Sequence, residues 1–197
     1  HGKWSALWLS EYGAAVVIGL LSDPVWNTSL GLGLALLFAA AVVHKLRDRA
    51  GFTAVLQSYG LLPAGLIPSV GVLMPVLELV CASGLLLPSS RASAALLAVA
   101  LLAVYAAVMA LSLRQGRRIA DCGCQFGEQQ QAVSAPLVWR NLLLAVLASS
   151  LLLEPLRREL GLFDGLVIGF VLLGSCVFYL LANTLIANFQ SARELSL

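Results

Sequence analysis

Cys122 and Cys124 stand one residue apart, with Gly123 between them, in the polar stretch of residues 114–136, RQGRRIADCGCQFGEQQQAVSAP. Thiol–disulfide exchange needs a reactive thiolate and a second sulfur that resolves the mixed disulfide, and this pair supplies both. Cysteines at i and i+2 bridge only where the backbone bends to bring their α-carbons within about 7 Å, a freedom that Gly123 provides. A ring that small is strained, and strained disulfides are labile and oxidising. Arg117 and Arg118, with Arg114 further off, would lower a thiol pKa, and Asp121 would oppose them. The same two cysteines also suit Cu(I) or Zn, although a closed zinc site wants four ligands and His44 is the only helpful extra candidate. An inert structural disulfide in a non-catalytic assembly scaffold is the third option. Redox exchange by Cys122 and Cys124 is the expectation carried forward, with no residue assigned to a metal.

The elements that must position this loop are apolar. The 197 residues are 60% hydrophobic and only 11% charged, with a mean hydropathy of +0.92, where a soluble domain carries about a quarter charged residues. So much apolar surface implies lipid as the solvent. A hydrocarbon core of about 30 Å needs about 20 helical residues. Residues 30–46, 61–87, 92–113, 137–153 and 165–187 answer that need. Residues 4–21 contain Glu11, and either span or lie in the interface with Trp4 and Trp8 as anchors. The opening residues lack the ordered basic, apolar and small-residue segments of a signal peptide. The expected architecture is a single-domain all-α integral membrane protein over residues 1–197: a four-helix transmembrane bundle plus one extra N-terminal helix. No internal repeat, phosphate-cradling glycine loop or nucleic-acid patch interrupts it.

A few residues break the apolar runs. Glu78, three residues past Pro75, is an acid inside a span, so it is protonated and hydrogen-bonded, or it serves proton handling or ligand contact. Lys45 and Arg47 close their helix as cations that would snorkel to the headgroups. Arg140 is an interface anchor or approaches the thiolate of the loop. Cys81 and Cys176 read as small packing residues. Asp164 is placed to cap the last helix, and Gly165 and Gly169 form a pair suited to close helix packing.

The two sides of the membrane are contested. If every segment spans, the side of the cysteine loop holds Lys3, Lys45, Arg47, Arg49, Arg114, Arg117, Arg118, Arg140 and Arg193, against Arg91, Arg157 and Arg158 opposite. The positive-inside rule then puts the loop in the cytoplasm. Disulfide chemistry puts it at the outer face.

The order of LFAAAVVHKLRDRAGF (residues 37–52), LQSYGLLP (56–63), MPVLELVCASGLLLP (74–88), DCGCQFGE (121–128) and WRNLLLAVLA (139–148) resembles the MauE/DoxX family of redox-associated membrane proteins. The resemblance covers about residues 30–153. It departs from the pattern where Gln125 separates the CGC from Phe126-Gly127, and in the extra segment 4–21. It implies a multi-pass protein of the bacterial inner membrane with the redox loop at the periplasmic face. It also implies maturation of the disulfide-rich small subunit of methylamine dehydrogenase, beside a membrane-anchored, thioredoxin-fold partner of the MauD kind. Cys122 and Cys124 are carried over as the exchanging pair; Gly123, Arg117, Arg118, Glu78 and Arg140 are the supporting residues that the sequence itself suggests, and Glu78 also resembles a family position. By analogy with other small membrane thiol oxidoreductases, a quinone is the candidate electron carrier.

Overall fold

A computed structural model describes residue 13 and residues 16–116, 133–156 and 158–194. In chain order its helices are α1 Pro24–Arg47, α2 Arg49–Tyr59, α3 Ile67–Leu86, α4 Arg91–Arg114, α5 Ala135–Ser149 and α6 Leu162–Glu194, with 3-10 turns at Ala64–Leu66 and Ser150–Leu152. Residues 16–21 are also helical, and no strand occurs among the described residues. Among the described residues, five stretches are long and apolar enough to cross a membrane: Pro24–Arg47, Ala64–Leu86, Arg91–Arg114, Ala135–Leu152 and Leu162–Ile186. The chain is an all-α, multi-pass integral membrane protein. Its outward side chains fit that solvent, with Val72, Val76, Leu79, Leu96, Val146 and Phe170 all exposed.

Local chemistry sets the helix ends. The Asp23 carboxylate accepts from Val25 N at 2.8 Å and Pro24 opens the first turn, so α1 starts six residues before the apolar run at residue 30. Asn27 and Ser29 in between are buried, and Asn27 Oδ1 accepts from the Arg91 guanidinium at 2.8 Å. Asp48 caps α2 through Gly51 N, and Gly60 closes it in the left-handed region at φ 58°. Gly116, at φ 66°, plays the same part after α4. Asp164 does not cap α6 from outside. The helix begins at Leu162, so Asp164 lies in its first turn, where it accepts from Gly161 N and from Arg158, as the third residue of a capping box does.

Five apolar segments after residue 30 are one more than a four-helix bundle uses. The core is built by α1, α3, α4 and α5, with Leu34, Phe38, Cys81, Leu85, Ala95, Ala98, Leu102, Ala145 and Ala148 buried together. Cys81 is fully buried and its thiol donates to Ala94 O at 3.5 Å. The alanines of α4 let its neighbours approach closely. Closest is Gly84 of α3, where an added Cβ would lie 2.8 Å from Ala94 Cβ. The surplus helix is α6, no part of whose spanning window is buried. It leans on α1, with Leu172 beside Gly33. Gly165 and Gly169 face open space rather than another helix, so they form no packing pair among the described residues. Cys176, also expected to pack, is exposed. Both results follow from the outer position of α6.

The contact at Gly84 yields a direct test. Gly84→Val should destabilise the bundle by about 1–3 kcal/mol through overpacking. Ala94→Gly in the same chain should recover part of that loss. Unfolding in mixed detergent micelles measures both.

Candidate functional site

Lys45, near the C-terminal end of α1, is 1% exposed, so it does not snorkel to the headgroups. Its Nζ donates to Glu78 Oε1 at 2.5 Å. Glu78 is 0% exposed and sits on α3 about one turn beyond the internal Pro75. Tyr105 of α4 donates its hydroxyl to the same Oε1 at 2.6 Å and lies 3.7 Å from Met74 Sδ. The Lys45 ammonium is also 5.4 Å from the Phe52 ring centroid and 5.3 Å from that of Tyr105, within the range of cation–π attraction. Two groups that neither water nor lipid solvates here thus neutralise each other, and the pair joins α1, α3 and α4 at one level. Each ion's desolvation amounts to several kcal/mol, offset by the partner and the added hydrogen bond.

Arg140 of α5 turns into the protein instead of towards the headgroups. Its Nη1 donates to Asn183 Oδ1 of α6 at 2.8 Å, and its guanidinium lies 5.5 Å from the Tyr179 ring centroid. Arg140 Nε and Glu78 Oε2 are buried without a hydrogen-bond partner among the described residues. Both residues line one cavity of about 20 Å³ together with Tyr105, Asn141 and Tyr179, room for a single water-sized molecule. The sequence-expected supports Glu78 and Arg140 are therefore brought to the walls of one cavity.

Cys122, Gly123, Cys124, Arg117 and Arg118 lie outside the described residues. What is described is the footing of their loop. The chain leaves α4 at Gly116 and is next described at Val133, which is buried with Tyr59, Met109 and Leu137. Tyr105 packs against this cluster and against the main core. The loop footing and the Lys45–Glu78–Tyr105 network thus share the same end of the bundle, where Arg114 and Trp139 are exposed. Sequence reasoning placed Lys45 at the headgroups and passed over Tyr105. Two signals could have found them: Lys45 and Glu78 are opposite charges in neighbouring spans, and Tyr105 is the one ring-bearing side chain of residues 92–113.

A family model described as Methylamine utilisation protein MauE matches residues 12–154. A curated "Methylamine utilization protein MauE" from Methylorubrum extorquens is 35% identical over 182 residues, 92% of this chain and 97% of that protein. A protein of the same name from Paracoccus denitrificans is 40% identical over 128 residues, 65% of this chain and 69% of its own length. A third, from Paracoccus versutus, is 37% identical over 157 residues, 78% and 84% respectively. No solved structure matches the chain.

The network makes a prediction by double-mutant cycle. Glu78→Leu strands a buried ammonium and should cost about 3–5 kcal/mol, whereas Lys45→Met with Glu78→Leu should lie much nearer the parent. Detergent unfolding of the two single variants and the double variant gives the coupling. Additive losses would mean that the two side chains do not act as a pair.

Proposed function

The chain belongs to the MauE family of methylamine utilisation proteins, and on that premise we propose that it is a membrane thiol–disulfide oxidoreductase acting in maturation. Its Cys122-Gly123-Cys124 loop exchanges disulfides with a thioredoxin-fold, membrane-anchored partner of the MauD kind. The client is the disulfide-rich small subunit of methylamine dehydrogenase. The observation that carries this reading is the pair of cysteines at i and i+2 in the longest polar interval of an apolar chain. It is supported by a loop footing packed at one end of a membrane bundle, between α4 and α5.

In the forward direction a loop thiolate attacks one sulfur of the partner disulfide. The partner's other sulfur leaves as a thiolate, and a mixed disulfide forms. The second loop cysteine, as thiolate, then attacks the loop sulfur of that mixed bond. The Cys122–Cys124 disulfide forms, and the partner departs as a dithiol carrying two electrons. The reverse sequence oxidises the partner. Gly123 gives the backbone the bend the small ring needs, and Arg114, Arg117 and Arg118 favour the thiolate. Glu78 and Arg140 act as positioning residues beneath the loop.

The membrane is the bacterial inner membrane, with the loop at the periplasmic face. Lys45 is neutralised by Glu78 and buried, and Arg158 opposite is likewise paired with Asp164, so this placement rests on the disulfide chemistry of the loop and not on the charge count.

Removing one cysteine should trap the exchange. Either Cys122→Ser or Cys124→Ser should accumulate a covalent, reductant-sensitive adduct with the partner, and the double variant should give none and leave the client immature. In intact cells a membrane-impermeant maleimide should label the loop cysteines only after mild reduction. Full client maturation in the double variant would sink the exchange reading in favour of a scaffold. Labelling only after permeabilisation would move the loop to the cytoplasm.

A further inference from the structure

Glu78 uses one carboxylate oxygen twice. Lys45 and Tyr105 both donate to Oε1, while Oε2 is buried without a hydrogen-bond partner among the described residues. Arg140 is in the matching condition. Its Nη1 donates to Asn183 Oδ1, while Nε is buried and unpartnered among the described residues. An arginine Nε–H can only donate and an ionised carboxylate oxygen can only accept. Each atom lacks what the other offers, yet no ion pair joins Glu78 to Arg140 among the described residues. Both side chains line the cavity of about 20 Å³.

The two atoms select an occupant. An apolar filler would leave both unsatisfied in a medium of low dielectric, where the loss is greatest. A cation would suit Oε2 and be repelled by the guanidinium, and an anion would suit Nε and be repelled by the carboxylate. Water is neutral, and it donates and accepts at once. It needs a polar site of at least about 10–15 Å³ with two to four partners. The cavity meets the volume, and Tyr105, Asn141 and Tyr179 add polar side chains to its wall.

We propose that one water molecule resides between Glu78 and Arg140, accepting from Arg140 Nε and donating to Glu78 Oε2. Glu78 is then the counter-ion of two cations, Lys45 directly and Arg140 through the water. The polar network runs unbroken through the five described spanning segments, from Lys45 of α1, Glu78 of α3 and Tyr105 of α4 to Arg140 of α5 and Asn183 of α6. By this route α6, which lies outside the apolar core, is tied to the buried pair. The site is read from the cavity and its two unpartnered atoms and does not depend on the cysteine loop, so the two readings fail separately.

Radiolytic hydroxyl labelling of the purified full chain in detergent, with rapid mixing into ¹⁸O-water, tests it. Radiolysis turns a bound water into a hydroxyl radical that modifies the side chains beside it. Tyr105 and Tyr179 should take up label, whereas Phe170 and Phe178, exposed on the outer helix, should stay at background. Ala41→Val adds two methyl groups to the cavity wall and leaves every charged group in place. It should lower the tyrosine label at least fivefold. The variant is compared at wild-type helix content, and the wild-type contrast between the tyrosines and the outer phenylalanines needs no variant. Tyrosines as unlabelled as Phe170 and Phe178 mean a dry cavity and overturn the proposal. So does label undiminished in the folded Ala41→Val chain. Label that emerges only when chloride is withdrawn gives the site to an anion and overturns it as well.

Discussion

A charge inside a bilayer has no water to turn to, and that constraint organises this molecule. Lys45 on α1 and Glu78 on α3 are each nearly inaccessible, and each is tolerable only because the other is there. Tyr105 adds α4 to the same oxygen. Apolar packing in lipid distinguishes one helix neighbour from another only weakly, since lipid tails are as apolar as leucine. A buried opposite-charge pair fixes which helices meet and at what height. The end of α1 is thereby drawn inward, and α2, capped by Asp48 immediately after α1, folds across so that Phe52 faces the ammonium.

The fold was legible where composition alone decides it. Residues 92–113 contain no charge, and α4 runs through them from Arg91 to Arg114. Legibility failed where polar side chains are satisfied by partners distant in the chain. Asn27 hides the first turns of α1 because its partner, Arg91, belongs to the next hairpin. Lys45 was misread for a related reason. A cation at the end of an apolar run normally reaches the headgroups, and only the tertiary arrangement of α2 and α3 shows that its stem points elsewhere. Glu78 stood out as an acid in a span, yet its partner cannot be found from periodicity. Cys122 and Cys124 suggest a chemistry by type and spacing alone, and they lie outside the described residues.

The same pairing enters the count by which charge reports topology. The positive-inside tendency concerns cations free to interact with the membrane surface. Lys45 is neutralised within the bundle, and Arg140 is held between Asn183 and Tyr179. On the other side Arg158 is paired with Asp164 and Asp23, and Arg91 is held by Asn27, so discounting paired cations leaves the imbalance in place. The opposite end is stitched by polar contacts of its own: Leu156 N donates to Ser22 O, Trp26 Nε1 donates to Ser150 Oγ, and Arg158 reaches both Asp23 and Asp164.

The outer placement of α6 bears on how the protein is made. Chains fold from the N-terminus as they are synthesised, and every helix of the core lies upstream of residue 153. The main core cluster contains no residue of α6, so it can close without that helix. The last helix can therefore join a finished body from the lipid side, guided by the Arg158–Asp164 contact near its start and the Arg140–Asn183 contact further along. Docking of α6 is thereby separable from the packing that builds the core.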